Sequence, residues 1–237
     1  MNLLAVDTST CSCSVAVMTG DRIASELTSL SSRTHTTHLM AMIRDALARA
    51  HTEPAALDGF GVTVGPGSFT GLRIGISTVK GLAFACGKPC VGISSLEALA
   101  AACPPHPYAI CSVMDARKGQ VYTAVFLQKG DGVLRIGEER AVSPEDLLQG
   151  EDRPGLFVGD GAALYAELIR SRLGDGARIA GPELNYPKAA IVARLARVAL
   201  AEHPERSSVS LRPRYLRRSD ADLGIRPPAA RPSGSPA

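Results

Sequence analysis

Several short strings in this chain carry the residue types that phosphate, metal or acyl chemistry uses. Asp7-Thr8-Ser9-Thr10 sets an acid ahead of three hydroxyls at the end of an apolar run. An acid there holds a metal-bound water, while hydroxyls and backbone N–H groups face a phosphate, and a glycine normally permits the close approach. Ser9 stands where that glycine is expected, and the string also reads as a polar hairpin turn. Asp115 is followed by Arg117 and Lys118, cations suited to a phosphate or simply to solvent, and Gly159-Asp160-Gly161 sets an acid between two glycines. His35 and His38 are three apart, whereas a helical metal pair needs i and i+4 spacing and a third ligand. They read as cap-region or interface polar groups, so no metal site is expected. Ser68 lies in Gly-Pro-Gly-Ser-Phe, which is not the G-x-S-x-G elbow of a nucleophilic serine. Its expected role is a helix cap, and no catalytic residue is assigned.

The densest pattern runs from Gly65 to Gly75. Gly65, Pro66 and Gly67 allow a tight strand-to-helix loop, Ser68 caps the helix, and Gly71 and Gly75 fall one turn apart inside it. A helix-interior glycine costs about 1 kcal/mol relative to alanine, so two imply a packing reason: the chain's own sheet on one reading, a partner's backbone on the other. The segment is neither G-x-G-x-x-G nor a Walker motif.

These strings need elements to position them. Residues 2–6, 12–18 and 22–27 read as a three-stranded meander with a Gly20-Asp21 turn. A helix over 36–50, a strand over 60–64, a helix after Ser68, a strand over 90–93 and a helix over 96–102 follow. After Pro104-Pro105-His106-Pro107, strands are expected near 109–114, 121–127 and 133–138. A helix follows Ser143-Pro144-Glu145-Asp146, then a strand at 156–158, a helix at 161–172, a strand at 178–180 and a helix at 189–201. The second half partly repeats the order of the first. The division is an N-terminal lobe over 1–103, a C-terminal lobe over 104–202 whose last helix can pack back on the first lobe, and a basic, partly disordered tail over 203–237. This order resembles the α/β actin-like, Hsp70-like (ASKHA) ATPase fold, with two βββαβαβα-type lobes and phosphates bound between them. The resemblance implies a degenerate nucleotide site at Asp7, Thr8, Ser9, Asp115, Arg117, Gly159 and Gly161. No cofactor is required by the chain itself, and weak ATP or ADP binding is expected mainly through a complex.

Composition bounds the setting. The 237 residues are 45% hydrophobic and 21% charged, without Trp, a globular balance. Asp7 interrupts a short apolar start that lacks the marks of a signal peptide, and no run is long enough for a membrane helix. The six cysteines form no C-x-x-C pair and read as small buried hydrophobes. A cytoplasmic address without membrane contact is the expectation. From residue 203 onward seven arginines face three acids, so the tail carries +4 of a net +3 and the remainder −1. Arg212, Arg214, Arg217 and Arg218 offer nucleic-acid phosphate contacts on one reading; on the other, the tail is solvated and packs through Tyr215 and Leu216.

Five stretches carry a closer resemblance: residues 31–36, GPGSFTGLRIGISTVKGLA at 65–83, ISSLEAL at 93–99, MDARKGQVY at 114–122 and PRYLR at 213–217. Together they resemble the TsaB family, actin-like partner subunits in the making of threonylcarbamoyladenosine in tRNA. The resemblance implies a non-catalytic scaffold without activity of its own. It would pair with the catalytic paralogue TsaD, act with TsaE, and meet tRNA through the complex. Transfer of threonylcarbamoyl from threonylcarbamoyl-AMP to the adenosine 3′ of the anticodon would belong to the assembly. Pairing through the first two helices would use Leu39, Met40, Ile43 and Leu47 on one and Leu72, Ile76 and Val79 on the other, and would give a homodimer when the chain is alone. The rival expectation is an independent actin-like ATPase or phosphotransferase.

Overall fold

The computed structural model describes residues 1–30, 38–130, 132–149, 155–202 and 211–217. Three strands, β1 (Asn2–Asp7), β2 (Ser12–Thr19) and β3 (Arg22–Leu30), form the antiparallel meander. Gly20 takes the left-handed backbone that the Gly20-Asp21 turn requires. β4 (Gly59–Gly65) joins β1 in parallel and β5 (Cys90–Ser94) joins β4, giving the order β3-β2-β1-β4-β5. The second sheet repeats the plan. Antiparallel β6 (Ala109–Arg117), β7 (Gln120–Lys129) and β8 (Gly132–Val142) are extended in parallel by β9 (Gly155–Val158) and β10 (Ala177–Ile179), in the order β10-β9-β6-β7-β8. Two mixed sheets of equal topology, each flanked by helices, make the α/β actin-like architecture.

Helices cover the sheets by burying their apolar stripes. α1 (Leu39–Arg49) and α2 (Phe69–Cys86) share one core with the inward residues of β1, β2 and β4, among them Leu4, Val6, Val15, Val17, Phe60 and Val62. The lobes exchange their closing helices. α3 (Ser95–Ala101) sends Leu96, Leu99 and Ala100 into the second lobe's core. α7 (Ala189–Glu202) lies on the opposite face of the first sheet, with Val192, Ala193, Ala196 and Leu200 against Leu3, Ala5 and Met18. Chain order across the 103/104 boundary therefore differs from packing.

Two helices depart from expectation. The first begins at Leu39, and residues 31–37 lie outside the described residues. The helix expected over 161–172 is divided into α5 (Asp160–Leu164) and α6 (Ala166–Leu173), because Tyr165 leaves the helical backbone at φ −105°, ψ 22°. Ser143 caps only a single turn, α4 (Pro144–Leu147). Among the described residues no helix is long and apolar enough to cross a membrane.

Candidate functional site: a sealed loop, an interlobe cleft and an outer helical face

The loop after β1 is built to be closed. Asp7 Oδ1 accepts from the Ser9 N–H at 3.2 Å, the Ser9 hydroxyl at 2.7 Å and the Thr63 hydroxyl of β4 at 2.7 Å. Thr8 donates its hydroxyl to the Gly71 carbonyl at 2.8 Å. The Ser9 carbonyl accepts from the Ser68 N–H at 2.7 Å. Asp7, Thr8 and Ser9 are fully buried beneath the first turns of α2. The glycines of α2 make this seating possible, since a Cβ on Gly67 would strike Ser9, and one on Gly71 or Gly75 would strike Thr8. The glycine strip thus faces the chain's own loop rather than a partner. Ser68 caps α2 by accepting from the Gly71 N–H at 3.2 Å. A phosphate reaching the Thr8 or Ser9 amides would have to lift α2 away.

The second-lobe half is more open. Asp160, at the start of α5, accepts from the Asp115 N–H at 3.0 Å, and Asp115 accepts from the Arg117 N–H at 2.8 Å. The Arg117 guanidinium lies 3.4 Å from the Asp115 carboxylate on an exposed turn where Arg117 and Lys118 are left-handed. Gly159 and Gly161 are buried against the end of β6, where Val113 and Met114 leave no room for a Cβ. Their glycines serve strand–helix packing, so close approach of a ligand is not needed to explain them.

Tyr186 meets Cys11 within reach of the Asp160 and Arg117 charges; Cys11 is exposed here, not one of six buried hydrophobes as its apolar surroundings suggest, and neither periodicity nor motif marks Tyr186. The Tyr186 phenol is raised to about 12 by its hydrogen bond with the Cys11 thiol first, then by burial and the Asp160 charge, with Arg117 opposing. Burial raises the Asp160 carboxyl, the Asp115 charge adds to that, and the N–H groups of Asp115 and Gly161 pull against it. Nearby, Glu139 of β8 is buried and receives the Ser94 hydroxyl at 2.6 Å and Arg135 at 3.1 Å, with Arg214 at 3.2 Å from its other oxygen. Burial, and to a lesser degree Glu139, raises the neighbouring Glu97 carboxyl, while Arg135 lowers it. Among the described residues no group of three or more His, Cys, Asp or Glu could hold a metal. His38 is exposed at the start of α1 without a side-chain cap bond, and His35 lies outside the described residues.

The expected pairing surface needs correction. Leu39, Ile43 and Leu47 of α1 and Leu72, Ile76 and Val79 of α2 are buried in the first lobe's own core, and only Met40 of that set is exposed. A helix with one apolar stripe on an uncovered sheet face spends that stripe on the sheet. The outer face is different in kind. Thr70, Arg73, Ser77, Gly81 and Phe84 recur along α2 at helical spacing and are all exposed. Phe84 is 84% exposed and Met40 on α1 is 54% exposed, while nothing lies within 4 Å of the position a Gly81 Cβ would take. Gly81 and Phe84 escape a search for an apolar stripe because their face mixes glycine, hydroxyls and one aromatic.

The comparisons with known proteins follow this geometry. A family model described as TsaD, tRNA N6-adenosine threonylcarbamoyltransferase, matches residues 27–225. The chain is 31% identical over 226 residues to the tRNA threonylcarbamoyladenosine biosynthesis protein TsaB of Bacillus subtilis, covering 94% of this chain and 96% of that one. The solved structure of YeaZ from Pseudomonas aeruginosa is 30% identical, with a TM-score of 0.80 over 91% of this chain and 99% of that one. The activator of 2-hydroxyisocaproyl-CoA dehydratase from Clostridium difficile, solved with bound ADPNP, shares the fold at TM-score 0.53 and 12% identity.

Proposed function

The chain belongs to the TsaB family of tRNA threonylcarbamoyladenosine biosynthesis proteins, and from that premise we propose that it serves the pathway as a scaffold subunit rather than as a catalyst. It is thus part of the biosynthesis of threonylcarbamoyladenosine in tRNA. Its partner on this reading is the catalytic paralogue TsaD, with TsaE joining the assembly and tRNA met through the complex. The threonylcarbamoyl transfer itself takes place on the partner. Weak ATP or ADP binding belongs to the complex, because the loop of Asp7, Thr8 and Ser9 is closed in this chain.

The observation that carries the reading is Phe84, the most exposed of the large hydrophobic residues described. A large aromatic held in water on a regular helix, one turn after an open glycine, suits burial against another helix pair. The core-facing stripes of α1 and α2 hold the two helices in place, and their outer faces meet the partner. Without the partner, the same face pairs two copies of this chain.

Co-purification of the full chain with the catalytic paralogue tests this. Phe84→Asp should abolish the complex while leaving the monomer folded, and depletion of the protein should lower threonylcarbamoyladenosine in bulk tRNA. A complex that persists with Phe84→Asp at wild-type yield removes the proposed surface. ATP turnover by the isolated chain that is lost in Asp7→Ala would replace the scaffold with an enzyme.

A further inference from the structure

The segment 211–217 touches the two lobes alternately. On the first lobe, Leu211 enters the core under α1 and α2, and the Arg214 N–H donates to the Val64 carbonyl at 2.7 Å. The Arg214 carbonyl comes so near Gly65 that a Cβ there would lie 2.7 Å from it. The Tyr215 ring stacks on Phe69 at 4.6 Å, and its hydroxyl accepts from Arg73 Nε at 2.9 Å while the Arg73 guanidinium lies 3.8 Å over Phe69. On the second lobe, the Arg214 guanidinium reaches Glu139 of β8 at 3.2 Å. Leu216 packs against the core of Leu96, Tyr122 and Ala124, and Arg217 Nη1 donates to the carbonyls of Ala116 at 2.7 Å and Arg117 at 3.3 Å. Seven residues thus hold a helix of one lobe and the cleft-lining turn of the other.

The geometry points to residues 211–217 as a strap that fixes the opening of the interlobe cleft, anchored to α2 by Tyr215 and to the β6–β7 turn by Arg217. Two-lobed proteins that close around a ligand turn about a hinge between the lobes. Here the strap adds to the crossings that the chain already makes between β5 and α3 and between β10 and α7, and opposes such movement. Each lobe holds the strap at more than one point, the first through Leu211, the Arg214 N–H and Tyr215, the second through the Arg214 guanidinium, Leu216 and Arg217, so losing both Tyr215 and Arg217 loosens it more than losing either. Glu139 joins the strap to a further crossing, because it also accepts from Ser94 at the end of β5.

The opening is read as the radius of gyration, and Cys90 and Cys103, buried in the two lobes with thiols raised to about 11 by burial, report that the cores stay intact. In the full chain, Tyr215→Ala, Arg217→Ala and the double variant are measured by small-angle X-ray scattering and pulse-alkylated with N-ethylmaleimide, each cysteine being read by peptide mass spectrometry. The double variant should have a larger radius of gyration than the wild type with Cys90 and Cys103 still protected, and each single variant should fall between the two. A wild-type radius of gyration in the double variant overturns the strap. If Cys90 or Cys103 becomes labelled in all three variants, the segment is a core element and the proposal fails.

Discussion

The hydroxyl of Thr8 donates to the carbonyl of Gly71 at 2.8 Å, joining residues 63 apart in the chain. That bond puts the first turns of α2 over the loop where an actin-like fold would receive phosphate. Thr8 also fills the space left by the missing Cβ atoms of Gly71 and Gly75. One residue therefore explains two glycines and closes one loop.

Alanine at these glycines should separate packing from propensity. Gly71→Ala and Gly75→Ala push a Cβ into Thr8, and overpacking of this kind costs about 1–3 kcal/mol or more. Gly81→Ala meets nothing within 4 Å on the same helix and should stabilise by about 1 kcal/mol through helix propensity. Urea unfolding midpoints test the pair of signs. A Gly71→Ala midpoint equal to or above wild type would show that α2 does not rest on the loop.

The two faces of α2 should respond oppositely to truncation. Leu72 is fully buried and Phe84 lies in solvent. Leu72→Ala is expected to cost about 2–5 kcal/mol, and Phe84→Ala to fall within about 0.5 kcal/mol of wild type. Thermal unfolding of the isolated chain, diluted until it is monomeric, makes the comparison. Equal losses would place Phe84 in the core and remove it from any interface.

Alkaline titration should isolate Tyr186. Its phenol is raised from 10.0 to about 12, first by the hydrogen bond with Cys11 and then by burial. The folded state therefore holds this proton more tightly than the unfolded chain. Its contribution to stability is complete below pH 10 and is lost as pH rises from 10 towards 12. Tyr186→Phe should remove the late-ionising phenolate from the ultraviolet titration and flatten stability over that window. Cys11→Ala should bring the Tyr186 ionisation down, and an unchanged titration in that variant would contradict the cleft contact.

The sequence by itself determined the alternation of strands and helices and the repeated meander, because periodicity two and periodicity 3.6 are local and leave their mark in ten or fifteen residues. It also marked Ser68 as a cap and 65–75 as a glycine segment with a packing purpose. What it left open was direction. The stripe of Leu39, Ile43, Leu72 and Val79 is equally apolar whether it faces a sheet or another protein, and only the tertiary structure turns it onto β1, β2 and β4. Gly71 carries no sign of Thr8, nor Gly65 of Arg214, since those partners come from distant segments. The exchange of α3 and α7, the Cys11–Tyr186 meeting and the two anchors of 211–217 were likewise decided by long-range packing. Local chemistry chose the elements; the closing of the chain on itself chose which of their faces remain for a partner.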